Sequence, residues 1–114
     1  MLHEMTLFPK PYASIASGQK TIELRLYDEK RQSIQIGDQI RFTNSEDASK
    51  STLCEVVHLH IFKDFRELYE NLPLLKCGYT PEDVVNAHPD DMLTYYSKEK
   101  QAQYGVVGIE LKRI

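Results

Sequence analysis

The segment Thr21–Leu26 constrains the fold more than any other, because polar and apolar residues alternate along it without exception. Successive side chains of a β-strand point to opposite faces, so the three apolar residues share one face. Glu23 and Arg25 lie on the other. The pattern predicts a strand with one face in the core and one charged face.

Four other segments favour strands through alternation or through β-branched residues. They are Met1–Leu7, Gln39–Thr43, Thr52–Leu59 and Val106–Leu111. The polar stretch Asn44–Ser51 predicts a solvent-exposed hairpin connection between two of these strands.

Helices are predicted between the strands. Pro9–Ser17 begins with proline and stops at Gly18, a residue suited to a helix C-terminus. Further helical patterns are Asp64–Asn71, Thr80–Ala87, a segment beginning at Asp90, and Ser97–Gln103. Tyr27–Ser33 is charged and irregular and predicts a loop.

This order of elements predicts an α+β fold built on a small curled sheet or barrel of about five strands with flanking helices. A doubly wound parallel sheet would need regular alternation of strands and helices. The length of 114 residues suits one domain, 1–114, because no repeat or linker divides the chain.

The charge distribution argues against duplex DNA as a partner, since the net charge is −3. Residues 1–43 carry six Lys and Arg against five Asp and Glu, so a local cationic site is still possible. No apolar run is long enough for a membrane helix, and the N-terminus lacks a signal-peptide pattern. With only Cys54 and Cys77, the chain is expected to be cytoplasmic with reduced thiols.

The segment Gly18–Arg25 has the pattern GxKxxExR, and the strand Ile36–Phe42 with its Gly-Asp opening follows it. Together with Tyr95–Lys100 and Tyr104–Leu111, this arrangement resembles the ASCH domain family of the PUA-like superfamily over nearly the whole chain. The resemblance implies a β-barrel closed at one end by a helix. It also implies a cleft beside Lys20–Arg25 suited to single-stranded RNA or a nucleotide-like ligand.

Lys20, Glu23 and Arg25 are the main candidate site residues. An ammonium and a guanidinium are both able to bind phosphate or base oxygens. Glu23 is placed to accept a proton, bind an amino group or orient the two cations. The structural alternative is a solvated strand face whose ion pairs contribute little.

Tyr96 and Lys98, with Tyr95, are candidates for ring stacking and a further cation in the same cleft. Packing against a helix is the alternative for at least one tyrosine. The loop Tyr27–Arg31 follows the strand of the motif and is a candidate to close over a ligand, with exposed loop charge as the alternative.

The sequence predicts neither a metal site nor a cofactor. His58 and His60 share a strand face, but no third ligand stands near them in sequence. Cys54 is predicted to be a buried strand thiol and Cys77 a loop or helix-end residue. Neither has the neighbours of a catalytic nucleophile.

Three functions stay open at this level, and no feature of the sequence predicts the oligomeric state. The first is binding of RNA or a nucleotide. The second is hydrolysis: the resemblance implies either ribonuclease activity with Lys20 and Glu23, or an N(4)-acetylcytidine amidohydrolase. Relatives of the latter type use a Thr where this chain has Glu23, and Thr21 lies two positions away. The third is a protein-interaction module.

Overall fold

A computed structural model describes residues 1–114. Its strands are β1 (Leu2–Leu7), β2 (Ile22–Leu26), β3 (Gln39–Asn44), β4 (Asp47–Phe62) and β5 (Val106–Arg113). Its α-helices are α1 (Pro9–Ser17), α2 (Glu29–Gln32), α3 (Phe65–Asn71) and α4 (Lys98–Tyr104). Three 3₁₀ helices span Leu74–Lys76, Val84–Asn86 and Pro89–Thr94. No helix has the length and apolar character needed to cross a bilayer.

The five strands form one mixed sheet in the order β1-β3-β4-β5-β2. Only β1 and β3 pair in parallel, and the other neighbours are antiparallel. The sheet curls into a half-barrel whose edges are β1 and β2. The predicted α+β fold with a small curled sheet of about five strands is confirmed.

The core lies on both faces of the curled sheet. One cluster, centred on Phe42 and Ile109, packs against α1. The other joins the apolar face of β2 to Phe65 and Leu68 of α3. Because β2 and its neighbour β5 are covered on both sides, the polar face of β2 is also withdrawn from solvent, and Glu23 is only 3% exposed.

Several predicted boundaries are confirmed. Helix α1 spans Pro9–Ser17 and ends at Gly18, whose φ of 87° and N–H bond to the Ile15 carbonyl satisfy the helix terminus. Helix α3 is capped by Asp64, which accepts a hydrogen bond from the Glu67 amide.

The predicted hairpin connection between β3 and β4 is confirmed, but it is shorter than Asn44–Ser51, because β4 already begins at Asp47 and only two residues form the turn. The polar residues from 48 to 51 are exposed in a strand that extends beyond the core. A polar strand exposed to water has the composition of a loop. The sequence pattern therefore did not predict the first residues of β4.

Two further predictions need correction. The charged segment Tyr27–Ser33 contains the short helix α2, capped by Asp28. The predicted α-helix Thr80–Ala87 is reduced to one 3₁₀ turn, in which Val85 is 78% exposed. Without a buried apolar face, a short segment has too little packing to hold an α-helix.

Glycine is required where α4 passes into β5. Gly105 has φ of 72°, and a Cβ atom there would lie 2.9 Å from the Phe62 carbonyl oxygen. Its carbonyl accepts a hydrogen bond from the Tyr27 amide at 3.0 Å. This close approach fixes β2 and β4 at the point where β5 enters the sheet.

Asp38 holds together the turn before β3. His3 Nε2 lies 2.8 Å from Asp38 Oδ2, and the Gln35 amide donates to the same oxygen at 3.0 Å. These bonds, the one with His3 first, lower the pKa of Asp38 from 3.8 to about 2. The ionised carboxylate therefore ties β1 to this turn.

Asp38→Asn is expected to flatten the loss of stability in acid. A carboxyl group with a lowered folded pKa stabilises the protein fully above its ordinary value, here 3.8, and loses this contribution as the pH falls towards 2. The urea midpoint should therefore fall less steeply in the variant between about pH 4 and 2. Glu46→Gln, at an exposed carboxylate without an ion pair, is the control and should follow the wild-type slope. Parallel slopes for all three proteins would contradict this role of Asp38.

Candidate ligand-binding cleft

A cleft of about 520 Å³ opens between the two edge strands of the half-barrel. Thr6 and Leu7 of β1 line one side, and Glu23 to Arg25 of β2 form the floor. Tyr69 of α3 and residues between 77 and 96 supply the opposite wall. Its volume is typical of a site for a small ligand or a single nucleotide.

The floor of the cleft is a network of three charged side chains. Lys20 Nζ donates to Glu23 Oε1 at 2.6 Å, and Arg25 Nε donates to Glu23 Oε2 at 2.8 Å. The side chains of Lys20, Glu23 and Arg25 are 11%, 4% and 16% exposed. Each carboxylate oxygen thus has its own cation. We call these three residues the charged triad.

The backbone around Lys20 is fixed from two sides, which explains how its side chain reaches the cleft. The Lys20 amide donates to the Ser14 carbonyl of α1 at 3.0 Å, and the Thr21 amide donates to the Lys76 carbonyl at 2.9 Å. The side chain then passes over Gly78, where an added Cβ would lie 3.4 Å from Lys20 Cδ. A side chain at position 78 would therefore contact the lysine, and the φ of 110° at Gly78 favours glycine there.

Arg25 connects the two edges of the sheet. Besides its bond to Glu23, its Nη2 atom lies 3.5 Å from the Thr6 carbonyl oxygen of β1. Tyr96 lies beside the guanidinium, and its ring stacks on Phe65 with centroids 6.1 Å apart. The guanidinium is therefore held between β1, β2 and the aromatic wall.

Glu23 and Arg25 stay ionised near neutral pH. Burial favours the neutral form of Glu23, but the charges of Lys20 and Arg25 and their hydrogen bonds outweigh it, so the pKa of Glu23 is lowered. Burial also favours the neutral form of Arg25, but the charge of Glu23 and its hydrogen bond outweigh this effect. The pKa of Arg25 is therefore raised. The floor carries one net positive charge.

The opposite wall contains a chain of three polar side chains. The hydroxyl oxygens of Tyr69 and Tyr79 lie 2.7 Å apart, and the Tyr79 hydroxyl donates to Asp91 Oδ2 at 2.6 Å. Burial raises the pKa of Tyr69 to about 12, and burial with the bond to Asp91 raises that of Tyr79. Both tyrosines therefore stay neutral beside a carboxylate.

Two aromatic rings at the cleft are unusually open to solvent. Phe8 is 66% exposed and Tyr95 is 60% exposed, although both belong to its lining. Tyr95 also contacts Tyr96, with ring centroids 6.4 Å apart. A planar ligand group entering the cleft would cover this apolar surface.

Comparison with known proteins identifies the family. The model of the ASCH domain matches residues 5–114. The chain belongs to the ASCH domain family. No curated protein matches it.

Solved structures agree with this assignment. The ASCH domain is similar to the hypothetical protein PH0355 (TM-score 0.80, 32% identity, 100% of both chains covered). It is also similar to protein PF0455 from Pyrococcus furiosus (0.72, 32% identity, 100% of this chain and 98% of that one). ASCH from Zymomonas mobilis (0.68, 13% identity, 97% and 66% covered) shares the fold. The half-barrel is thus the PUA-like ASCH fold.

The structure brings most of the predicted ASCH site residues together. Lys20, Glu23, Arg25 and Tyr96 all line the cleft. Lys98 does not, and lies instead in a second cleft of about 460 Å³. The placement of Lys98 in the first cleft is wrong because α4 begins on the far side of the Pro89–Thr94 helix.

Other candidates of the ASCH motif lie elsewhere. The loop Tyr27–Arg31 is not part of the cleft lining, and Arg31 pairs with Asp28 at 3.2 Å. Thr21 is not part of the cleft lining either. The alternative interpretation of Lys20, Glu23 and Arg25 was a solvated strand face with weak ion pairs. The burial of Glu23 on β2 contradicts it.

Sequence reasoning missed the Tyr69–Tyr79–Asp91 chain and Phe8. The position of Phe8 just before Pro9, outside the alternation of β1, was a usable signal for an exposed aromatic residue. The tyrosines carried no such signal, since Tyr69 lies on α3 and Tyr79 follows a separate 3₁₀ helix, so no single period relates them.

The remaining candidates have structural surroundings. Cys54 is buried on β4 as predicted, and Cys77 follows a 3₁₀ helix as predicted, with burial raising its pKa to about 11. The rings of His58 and His60 lie 4.4 Å apart, and His60 Nε2 is 2.8 Å from Glu110 Oε1. No group of three His, Cys, Asp or Glu side chains is arranged to hold a metal ion.

Proposed function

We propose that this ASCH domain binds single-stranded RNA or a nucleotide-like ligand in the cleft beside Gly18–Arg25. The observation that carries the proposal is a buried charged triad in the same cleft as two exposed aromatic rings, Phe8 and Tyr95. The triad supplies polar recognition and the rings supply a stacking surface.

The cations of the triad retain donors for a ligand. An ammonium has three N–H donors and a guanidinium has five. Glu23 takes one donor from each cation, and Arg25 Nη2 makes one further long contact. The free N–H groups of Lys20 and Arg25 suit phosphate or base oxygens, in a site where water competes poorly.

The aromatic rings and the opposite wall suit a nucleobase and its sugar. Stacking of a base on an exposed ring such as Phe8 contributes about 1–3 kcal/mol in single-strand binding proteins. Asp91 and the tyrosine hydroxyls offer acceptors and donors to an exocyclic amine or a ribose hydroxyl.

The charge of the cleft favours a single strand over a duplex. Its lining carries three cations, Lys10 and those of the triad, against three carboxylates, which are Glu23, Asp83 and Asp91. Such a balanced site lacks the extended positive surface that follows two phosphate backbones.

Binding is favoured over hydrolysis by the state of Glu23. A general base must leave its partners to take a proton, whereas Glu23 is held by two cations and its pKa is lowered. Catalysis by Lys20 and Glu23 therefore stays a secondary prediction. No exposed feature favours the protein-interaction role specifically.

Lys20→Ala is expected to weaken binding at least about tenfold, because it removes a charge-assisted hydrogen bond. Calorimetric titration with nucleosides, nucleoside monophosphates and a single-stranded RNA hexamer measures this change. Mass analysis of each mixture after incubation reports whether any of them is cleaved.

Lys50→Ala, at an exposed lysine outside the cleft, is the matched control and should bind like the wild type. Absence of wild-type binding to every compound in the panel would overturn the proposal. Product formation that is lost in Glu23→Gln would favour the hydrolase instead.

A further inference from the structure

The second cleft shares a wall with the first. The 3₁₀ helix Pro89–Thr94 contributes Asp91, Met92 and Thr94 to the first cleft, and its other residues to the second. The two clefts are therefore separated by one short helix. A ligand chain that fills the first can reach the second by crossing that helix.

Three cations from separate parts of the fold meet in the second cleft. Lys63 follows β4, Arg66 lies on α3 and Lys98 begins α4. Neither Arg66 nor Lys98 forms an ion pair, and Lys63 approaches Glu67 only at 3.9 Å. Unpaired cations are notable here because the chain has 17 Asp and Glu against 14 Lys and Arg.

The second cleft contains two carboxylates against its three cations. Asp64 accepts the Glu67 amide at 2.9 Å and caps α3. Asp90 has no cation as a partner, because the nearby His88 Nδ1 accepts a hydrogen bond from the Asp90 amide. Only two of the ten lining residues are hydrophobic. A polar cleft with unpaired cations suits an anionic group better than an apolar one.

We infer that the second cleft binds a backbone phosphate of an RNA strand whose neighbouring nucleotide occupies the first cleft. The strand crosses the Pro89–Thr94 helix, where Leu93 is 40% exposed and offers apolar contact to a base or sugar. This inference rests on the proposed function, and it adds that a strand binds more tightly than one nucleotide.

The test compares the double variant Arg66→Gln/Lys98→Gln with the wild type. Both side chains are exposed, so the fold should be unaffected, and circular dichroism checks this. Affinity for a single-stranded RNA hexamer should fall about tenfold, the scale of two partly exposed ion pairs. The slope of log K against log salt should decrease by about 0.7, because one phosphate contact is lost.

Affinity for a nucleoside monophosphate should stay within twofold of the wild type, because one nucleotide fills only the first cleft. Lys30→Gln/Lys50→Gln removes the same charge at exposed sites outside both clefts and should keep the hexamer affinity and its salt slope.

The outcomes separate the two proposals. If the wild type binds neither the mononucleotide nor the hexamer, the proposed function itself is wrong. If it binds both and the Arg66/Lys98 variant keeps its hexamer affinity and slope, the second cleft is not a phosphate site. If the Arg66/Lys98 variant loses affinity equally for the mononucleotide and the hexamer, the inference is also wrong.

Discussion

Glu23→Ala is expected to lower the free energy of unfolding by about 3–5 kcal/mol, the cost of leaving buried charges without their partner. Removal of this one carboxylate leaves both Lys20 and Arg25 without a counter-charge, and their side chains are only 11% and 16% exposed. Urea unfolding at pH 7, followed by circular dichroism, measures the change through the midpoint and slope.

Glu4→Ala is the matched control for this experiment. Glu4 pairs with Arg41 at 3.3 Å, but the two side chains are 69% and 44% exposed. Such a surface pair contributes at most about 1 kcal/mol. If Glu23→Ala and Glu4→Ala lower the free energy of unfolding equally, burial does not strengthen the ion pairs of the triad.

The ion pairs of Glu23 can also be tested by measuring stability at low pH. The pKa of Glu23 is lowered from 4.5, so its contribution is complete above that value and is lost as the pH falls through the folded pKa. The stability difference between wild type and Glu23→Ala should therefore shrink as the pH is lowered below 4.5. A difference that is constant from pH 7 to 3 would contradict the ion pairs.

Replacement of the whole triad should change stability much less than Glu23→Ala does, but should have a large effect on binding. In Lys20→Met/Glu23→Leu/Arg25→Met, no buried charge is left unpaired, so the free energy of unfolding should stay within about 2 kcal/mol of the wild type. Ligand affinity should fall at least about a hundredfold, because two charge-assisted hydrogen bonds of about 1.5–3 kcal/mol each are lost.

The triple variant separates structural from functional roles of the triad. Urea unfolding reports the first, and titration with the RNA hexamer reports the second. If a folded triple variant binds the RNA hexamer as tightly as the wild type, the triad does not contribute to ligand binding. A triple variant less stable than Glu23→Ala would show that the ion pairs serve the fold.

The sequence predicts the strands and the motif well where a local pattern exists. The alternation in Thr21–Leu26 correctly separates the two faces of β2, and Gly18 correctly ends α1. Both depend on chain geometry over a few residues. The curled five-stranded sheet follows from the order of such segments.

Tertiary features have no local pattern and could not be predicted in the same way. Burial of Glu23 results from the curling of the sheet, which brings β1 towards the polar face of β2. The position of Lys98 depends on the path of residues 74–96, whose 3₁₀ turns have no apolar period. Phe8 and Tyr95 meet at one cleft from opposite ends of the chain.

The two sides of the main cleft differ in how they are built. Its floor belongs to a continuous sheet, whereas the wall from 77 to 96 consists of short turns joined by side-chain bonds such as Tyr79 to Asp91. Such segments open locally at a lower free energy than the sheet that supports them. Under the proposed function, changes in this wall would alter ligand selectivity while the sheet, with its cations, keeps the same geometry.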